Sequence, residues 1–523
     1  VKSKRSAAMG FFLVLLAAIP IMIIVFQVQQ KETESGPGKS YAFIEPGDDE
    51  AAVIRKAASV VPSPRQADWQ ARELIAFAHF GMNTFTNREW GEGTEDPKLF
   101  HPTELDARQW ARVLKEAGMK TLIVTAKHHD GFCLWPTALT DHSVKSSPWK
   151  DGKGDVVGEV AAACREAGLG FGVYLSPWDR HEKTYGDSPR YNEYFRAQLR
   201  ELLTGYGPVA EVWFDGACAE GPNGKKQVYD WPSYYKLIRE LQPAAVIAIM
   251  GPDVRWVGTE SGYGRETEWS VVPADISDPA AVASASQREP LDGAFTPQDL
   301  TKEDLGSRAA IRGAKSLVWY PAETDVSIRP GWFYHPDQDD QVKPPDKLVD
   351  IYFSSVGRNG VLLLNVPPDK RGLIHESDAA AMREMRRILE ATFGASAAAG
   401  AKAKADTRAP GHGAELILDG DPASYWQAEP EAEAAVITLR LAKTGTFDCA
   451  MLQEAIGVGQ RIEAFRLESR QGETWTGFAR GTTVGAKRLL RFAPVTTDAI
   501  RIIIEQSRLN PTLAAFGLHK RAK

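Results

Sequence analysis

From about residue 74 to residue 394, short runs that are apolar throughout alternate with segments of helical period, and few folds accommodate that rhythm. LIAFAHFGMNTF (74–85) leads into a helix over 106–117, where Trp110, Val113, Leu114 and Ala117 recur at i, i+3, i+4 and i+7 and Gly118 supplies the stop. TLIVTAKHH (121–129) follows, then a helix capped by Asp155 and stopped at Gly168, then FGVYLS (171–176). Ser188 and Pro189 open a further helix in cap-then-proline order, and it delivers the chain to AEVWFDG (210–216). AVIAIMG (245–251), SLVWYPAE (316–323) and GVLLLNVPP (360–368) extend the series. Strands with no polar face must be covered on both sides, which helices achieve in a parallel sheet.

An open doubly wound sheet and a closed barrel both satisfy that pattern, and the polar residues separate them. No GxGxxG or GxxxxGK[ST] follows the first strand, as a nucleotide-binding sheet requires. Instead the runs end in polar and aromatic groups: His79, His128 with His129, Tyr174 with Trp178 and Asp179, Trp213 with Asp215, and Trp319 with Glu323. A barrel gathers its chemistry at the C-terminal ends of many strands. The expected fold is α/β, a (β/α)8-like barrel over 66–394.

Beyond a small-residue linker at 395–412 the period changes. Short alternating segments at 436–441, 447–452, 462–467, 487–492 and 499–504 predict an antiparallel β-sandwich over 413–523. Its LDGDPASYWQAE (418–429) resembles a loop of discoidin-like, carbohydrate-binding domains. At the other end, Lys2, Lys4 and Arg5 precede an uncharged stretch from Ser6 to Gln30, the pattern of a signal peptide or membrane anchor over 1–30, and 31–65 reads as a connector. The expectation is an exported protein, periplasmic or at the cell surface, touching membrane only through that N-terminal segment. A net charge of −6 without an internal basic block gives no basis for nucleic-acid binding, and the four Cys lack metal-ligand spacing.

A barrel mouth rich in Trp and acids suits sugars, because indole faces cover apolar C–H surfaces while carboxylates and imidazoles meet hydroxyls. Asp215 is held at a strand end before a Gly, a position equally suited to capping a helix. Glu260, Glu266 and Glu268 follow within RWVGTESGYGRETEW, and pattern alone does not choose among them as a second carboxyl. His79, His128 and His129 could instead ligate zinc in a metal-dependent hydrolase, but adjacent residues on a regular strand point to opposite faces.

HFGMNTFTNREWG, TAKHHDGFCLW, GVYLSPWD, EVWFDG, RWVGTESGYGRETEWS, DVSIRPGWFYH and SVGRNGVLLLNVPPD, in this order, resemble the α-L-fucosidases over about residues 70–395. These are retaining glycoside hydrolases with a barrel and a C-terminal sandwich. The resemblance implies Asp215 as nucleophile and, through the branch specific for α-1,3/1,4 linkages, Glu260 as general acid/base. It implies His79, Glu89, Trp90, His128 and His129 as binders of fucose hydroxyls, Trp213 and Tyr174 beside the nucleophile, and Trp319 against the fucose methyl. No metal or cofactor is expected; the partner is a fucosylated oligosaccharide or glycoconjugate. A catalytically silent, lectin-like fucose binder is the alternative.

Overall fold

The computed structural model describes residues 39–274 and 303–522, so the expected signal peptide or anchor lies outside the described residues. Among the described residues no helix is long and apolar enough to cross a membrane.

Eight parallel strands form the barrel: β2 (Leu74–Ala78), β3 (Thr121–Lys127), β4 (Gly170–Leu175), β5 (Glu211–Phe214), β6 (Val246–Ile249), β7 (Arg255–Trp256), β10 (Ala322–Ser327) and β11 (Val361–Asn365). They are hydrogen-bonded in the order β6-β5-β4-β3-β2-β11-β10-β7, which nearly closes the ring. Period-two alternation sorts their side chains. Ile75, Phe77, Ile123, Tyr174, Trp213, Val361 and Leu363 fill the interior, while Leu74, Ala76, Leu122, Val124, Leu362 and Leu364 pack outward with the surrounding helices. Local signals set the helix ends: Asp106 accepts from the backbone of Arg108 and Gln109 ahead of Ala107–Glu116, and Gly168 closes Val156–Ala167 at φ 71°. The helix expected at Ser188 does begin there, but Asp187 occupies the cap.

SLVWYPAE does not form one strand. Pro321, which has no N–H for a ladder, falls between β9 (Ser316–Trp319) and β10. β9 leaves the barrel for a three-stranded antiparallel sheet with β1 (Tyr41–Phe43) and β8 (Val271–Pro273). Residues 31–65, read as a connector, therefore hold β1 and the helix Glu50–Ser59 over their described part; Val53, Ile54 and Ala57 of that helix pack on Leu317 and Trp319.

The C-terminal unit is an antiparallel assembly of β12 (Lys402–Ala405), β14 (Ala435–Gln453), β17 (Arg488–Ser507), β15 (Ile462–Gln471) and β16 (Thr474–Gly481), paired in that order, with β19 (Ala515–His519) on β14. β12 (Lys402–Ala405) lies inside the expected linker, since its backbone is needed to pair the edge of β14. The short segments expected at 436–441 and 447–452 are one strand, β14 (Ala435–Gln453), and those at 487–492 and 499–504 are one strand, β17 (Arg488–Ser507). Register shifts near Arg440–Gly445 and Phe447–Cys449 interrupt the alternation, as bulges do, so a continuous strand reads as two.

Arg329, fully buried beyond β10, donates through Nε to both Asp378 oxygens (2.9 and 3.1 Å) and through Nη1 to Asp339 (2.8 Å). Replacement by Met strands the buried Asp378 carboxylate, so denaturation should show a loss of about 3–5 kcal/mol.

Candidate active site

A cavity of about 210 Å³ opens at the C-terminal ends of the barrel strands, lined by Phe77, His79, Glu89, Trp90, His128, His129, Trp213, Asp215, Trp256, Glu260, Asp325 and Trp332, among others. Nearly every expected site residue is here. β3 ends at Lys127, so the following two residues are free of strand alternation, and His128 and His129 both face the cavity. Among the described residues no group of three or more His, Cys, Asp or Glu is arranged to hold a metal.

Asp215 follows the last residue of β5, and its two oxygens are engaged separately. The Tyr174 hydroxyl donates to Oδ2 (3.0 Å) and the Ala217 amide to Oδ1 (2.7 Å). Such donors fix a carboxylate's orientation. Glu260 sits in a different environment. Its side chain reaches solvent at the cavity mouth, yet partial desolvation there raises its carboxyl above the usual range, the Trp332 indole N–H (3.0 Å to Oε2) opposes that, and the charges of Asp215 and Glu89 add to it. One carboxyl is held by donors while the other is biased toward keeping its proton, which is how acid and nucleophile are distinguished.

Glu266 and Glu268 do not compete for the acid role. Glu268 is 1% exposed and ion-paired with the buried Arg255. Glu266 is exposed, outside the cavity lining, and its backbone carbonyl accepts from Thr482 and Arg488.

The histidines are neutral hydrogen-bonding groups, and their partners define the tautomers. Burial pulls His79 down to about 4, His128 well below its ordinary value, and His129 down against the pull of Asp215. Asn365 spends its amide N–H groups on Ser327 and the Trp332 carbonyl, so its Oδ1 accepts from His79 Nδ1 (2.9 Å). Ser176 donates to the Trp178 carbonyl, so its oxygen accepts from His129 Nδ1 (2.7 Å). In both rings Nε2 is then an acceptor, and that of His129 lies 3.8 Å from Asp215 Oδ2. His128 is reversed: the Asn83 amide donates to its Nδ1 (3.3 Å), which leaves Nε2 a donor. The pocket thus offers neutral acceptors and a neutral donor, the complement of sugar hydroxyls.

Trp90 stands at the rim, 54% exposed, edge-on to His129 and Trp178. Glu89 lines the cavity with its oxygens occupied, accepting from the Trp332 and Phe333 amides (2.8 and 3.2 Å) and lying 2.6 Å from His335 Nε2. It shapes the turn that presents Trp332. Trp319 is not in the cavity: 1% exposed, it is bound to Gln70 in the side sheet, because Pro321 diverts β9. The cavity also holds Trp256, a strand-end tryptophan, together with Trp332 and Asp325, none of which the family resemblance assigns to the site. Asp325 accepts from the Trp256 indole (2.7 Å), and burial beside Glu260 raises its carboxyl well above the ordinary range.

Beneath the pocket a second carboxyl pair supports Trp213. Its indole donates to Glu323 Oε1 (2.7 Å), Glu323 hydrogen-bonds Glu211, and Glu211 Oε2 accepts from Trp69 (3.0 Å). The remaining oxygens, Glu211 Oε1 and Glu323 Oε2, have no other partner, so the pair needs a shared proton. Burial raises Glu211 to about 7 and Glu323 well above its ordinary value, the latter also through Glu211. The folded protein therefore keeps protons that the unfolded chain releases, and stability falls as pH rises from about 4.5 through about 7, where Glu211 ionises, and goes on falling while Glu323 still holds its proton. Glu323→Gln, whose amide can donate to an ionised Glu211, should remove about 2 kcal/mol of that fall. Denaturant midpoints at pH 5 and pH 8 check it.

The α-L-fucosidase family profile matches residues 56–392, and the F5/8 type C domain profile matches residues 400–515. Alpha-L-fucosidase 1 of Arabidopsis thaliana is 42% identical over 471 residues, 88% of this chain and 87% of that protein. The match to the tissue α-L-fucosidase of Rattus norvegicus is 36% identical over 129 residues, 23% of this chain and 26% of that protein. A fucosidase of Ruminococcus gnavus, solved in complex with fucose, superposes with a TM-score of 0.78 at 32% identity, over 92% of this chain and 97% of that one. Barrel, pocket and sequence agree: the chain belongs to the α-L-fucosidase family and is a glycoside hydrolase.

Proposed function

We propose that this chain is an exo-acting fucosidase that removes terminal α-linked L-fucose, with preference for α-1,3/1,4 linkages, by a retaining double displacement. The observation that carries the reading is the placement in one cavity of Asp215, oriented by Tyr174 and Ala217, and Glu260, held by the Trp332 indole and raised by partial desolvation at the mouth. Asp215 attacks the anomeric carbon while Glu260 delivers its proton to the departing oxygen. Glu260, now ionised, then takes a proton from the water that releases β-linked fucose from Asp215. Neutral His79 and His129 accept from fucose hydroxyls and His128 donates to one. Trp213 and Trp332 border the ring.

The linkage preference is supported by HFGMNTFTNREWG, which resembles the α-1,3/1,4 branch. The basic, then apolar N-terminal segment supports export to the periplasm or cell surface, and the F5/8 type C match supports a glycan-binding sandwich. Incubation with Lewis-type trisaccharides and with an α-1,2-fucosylated lactose, followed by NMR of the first-formed anomer, tests linkage and stereochemistry together. Release of α-fucose from the Lewis substrates is the expected result. A β-anomer as first product overturns the retaining mechanism, and faster cleavage of the α-1,2 substrate overturns the linkage.

A further inference from the structure

Glu260 is carried on the stretch from Val257 to Ser270, which joins β7 to β8. The stretch closes on itself where Arg265 Nη1 donates to the Val257 carbonyl (2.9 Å), and the barrel secures it on one side, where the Gly262 and Gly264 amides donate to the carbonyls of Asp325 (3.1 Å) and Ser354 (2.7 Å). The other side rests on the C-terminal unit. Gln460, fully buried, uses both ends of its amide, donating to the Glu268 carbonyl (3.0 Å) and accepting from the Ser270 amide (2.8 Å), as a neighbouring strand would. Thr483 Oγ1 accepts from the Glu268 amide (3.0 Å). Thr482 accepts from the Thr267 hydroxyl (2.9 Å) and donates to the Glu266 carbonyl (3.1 Å), which Arg488 also reaches.

These sandwich residues are themselves fixed. Glu454, buried, accepts from the amides of Arg461 (2.7 Å), Ile462 (2.9 Å) and Gly485 (2.7 Å), tying the loop around Gln460 to the loop that follows Thr483. Asn359, at the end of the barrel, bridges the same region, donating to the Glu268 carbonyl (3.1 Å) and accepting from the Ala486 amide (2.7 Å). The loop bearing the carboxyl is thus held between two units, its far half bonded to the sandwich mainly through backbone groups and to the barrel through the Glu268–Arg255 ion pair. Backbone anchoring fixes where a segment runs whatever its side chains are.

We propose that the C-terminal sandwich is a working part of the hydrolytic site, with Gln460 and Thr483 as positioning residues that set the reach of Glu260 toward the leaving oxygen. The inference rests on the acid/base reading of Glu260. A proton donor displaced by about 1 Å can cost about 100-fold, and the cost falls on the step that needs the proton. A glycan with a poorly leaving sugar needs it; an aryl fucoside with a strongly acidic phenol does not.

The experiment compares Gln460→Ala, Thr483→Val, Thr483→Ser and Glu260→Ala in the full chain on a Lewis trisaccharide and on 2-chloro-4-nitrophenyl α-L-fucoside. Gln460→Ala and Thr483→Val should lose about 10- to 100-fold in kcat/KM on the trisaccharide and less than about threefold in kcat/KM on the aryl fucoside, since kcat/KM reports the first step alone, whereas kcat on the aryl fucoside also carries the second step, in which Glu260 is the base. The alkaline limb of their pH profile should shift, and Thr483→Ser, which restores the acceptor, should recover the trisaccharide rate. Thr483→Val keeps the side-chain volume and carries the test if Gln460→Ala does not fold. Equal losses on both substrates, or none on either, overturn the inference when Glu260→Ala is itself sensitive to the leaving group. A Glu260→Ala enzyme blind to the leaving group overturns the acid assignment instead, and this inference with it.

Discussion

Asp215→Ala should abolish turnover, with kcat on any fucoside falling by about 10⁴-fold or more, because no other group in the cavity can form the covalent intermediate. Asp325 is nearest in chemistry, but it is buried against the Trp256 indole and biased toward the neutral acid, a poor nucleophile. The stereochemistry of rescue is more specific than the loss. With the carboxylate gone, azide can enter the space it leaves and attack an activated α-fucoside from that face, giving β-fucosyl azide. Chromatography and NMR of the product check this. An unchanged rate, or a rescued product with the α configuration, removes Asp215 from the nucleophile's role.

Glu260→Ala should lose about 10²- to 10⁴-fold on an unactivated glycan, the range in which general acid catalysis contributes. On a fucoside with a good leaving group the first step should survive and the fucosyl-enzyme should accumulate. Azide would then react with that intermediate and give the α-azide, the opposite anomer to that from the Asp215 variant. The pH dependence has a definite sign. Partial desolvation raises the Glu260 carboxyl, so the protonated acid persists above the ordinary carboxylate range, and the rate on glycans falls as pH rises through its shifted value. In Glu260→Ala that alkaline fall should vanish from the profile of an activated substrate.

Much of this was legible in the sequence because burial on both faces leaves a strong mark. Runs such as TLIVTAK and VLLLN are apolar throughout since each strand is covered inside and out, and Asp215 stands out as the acid immediately beyond such a run. What could not be read depends on contacts distant along the chain. β7 is two residues long, Arg255 and Trp256, and has no apolar run to announce it. Trp319 and Glu323 sit in what reads as one strand, yet the proline between them sends the first to the side sheet and leaves the second under Trp213. Trp332 owes its place to Glu89, 243 residues earlier. The choice among Glu260, Glu266 and Glu268 follows from which faces the cavity and which meets Arg255 or solvent, and spacing does not encode that. The bulges in β14 and β17 had the same effect, cutting one alternation into two.

The hydrogen bonds joining Gln460, Thr482, Thr483 and Arg488 to residues 266–270 also bear on how such a chain could be rebuilt. A module that is merely appended can be exchanged at its junction. Here a splice between the helix Glu376–Phe393 and β12 would respect the covalent chain but discard the complementarity between Gln460 and Ser270, 190 residues apart in sequence. Chimeras that graft a foreign binding module onto this barrel must therefore transplant the matching 257–270 segment as well, and a truncated barrel is a poor starting point for engineering.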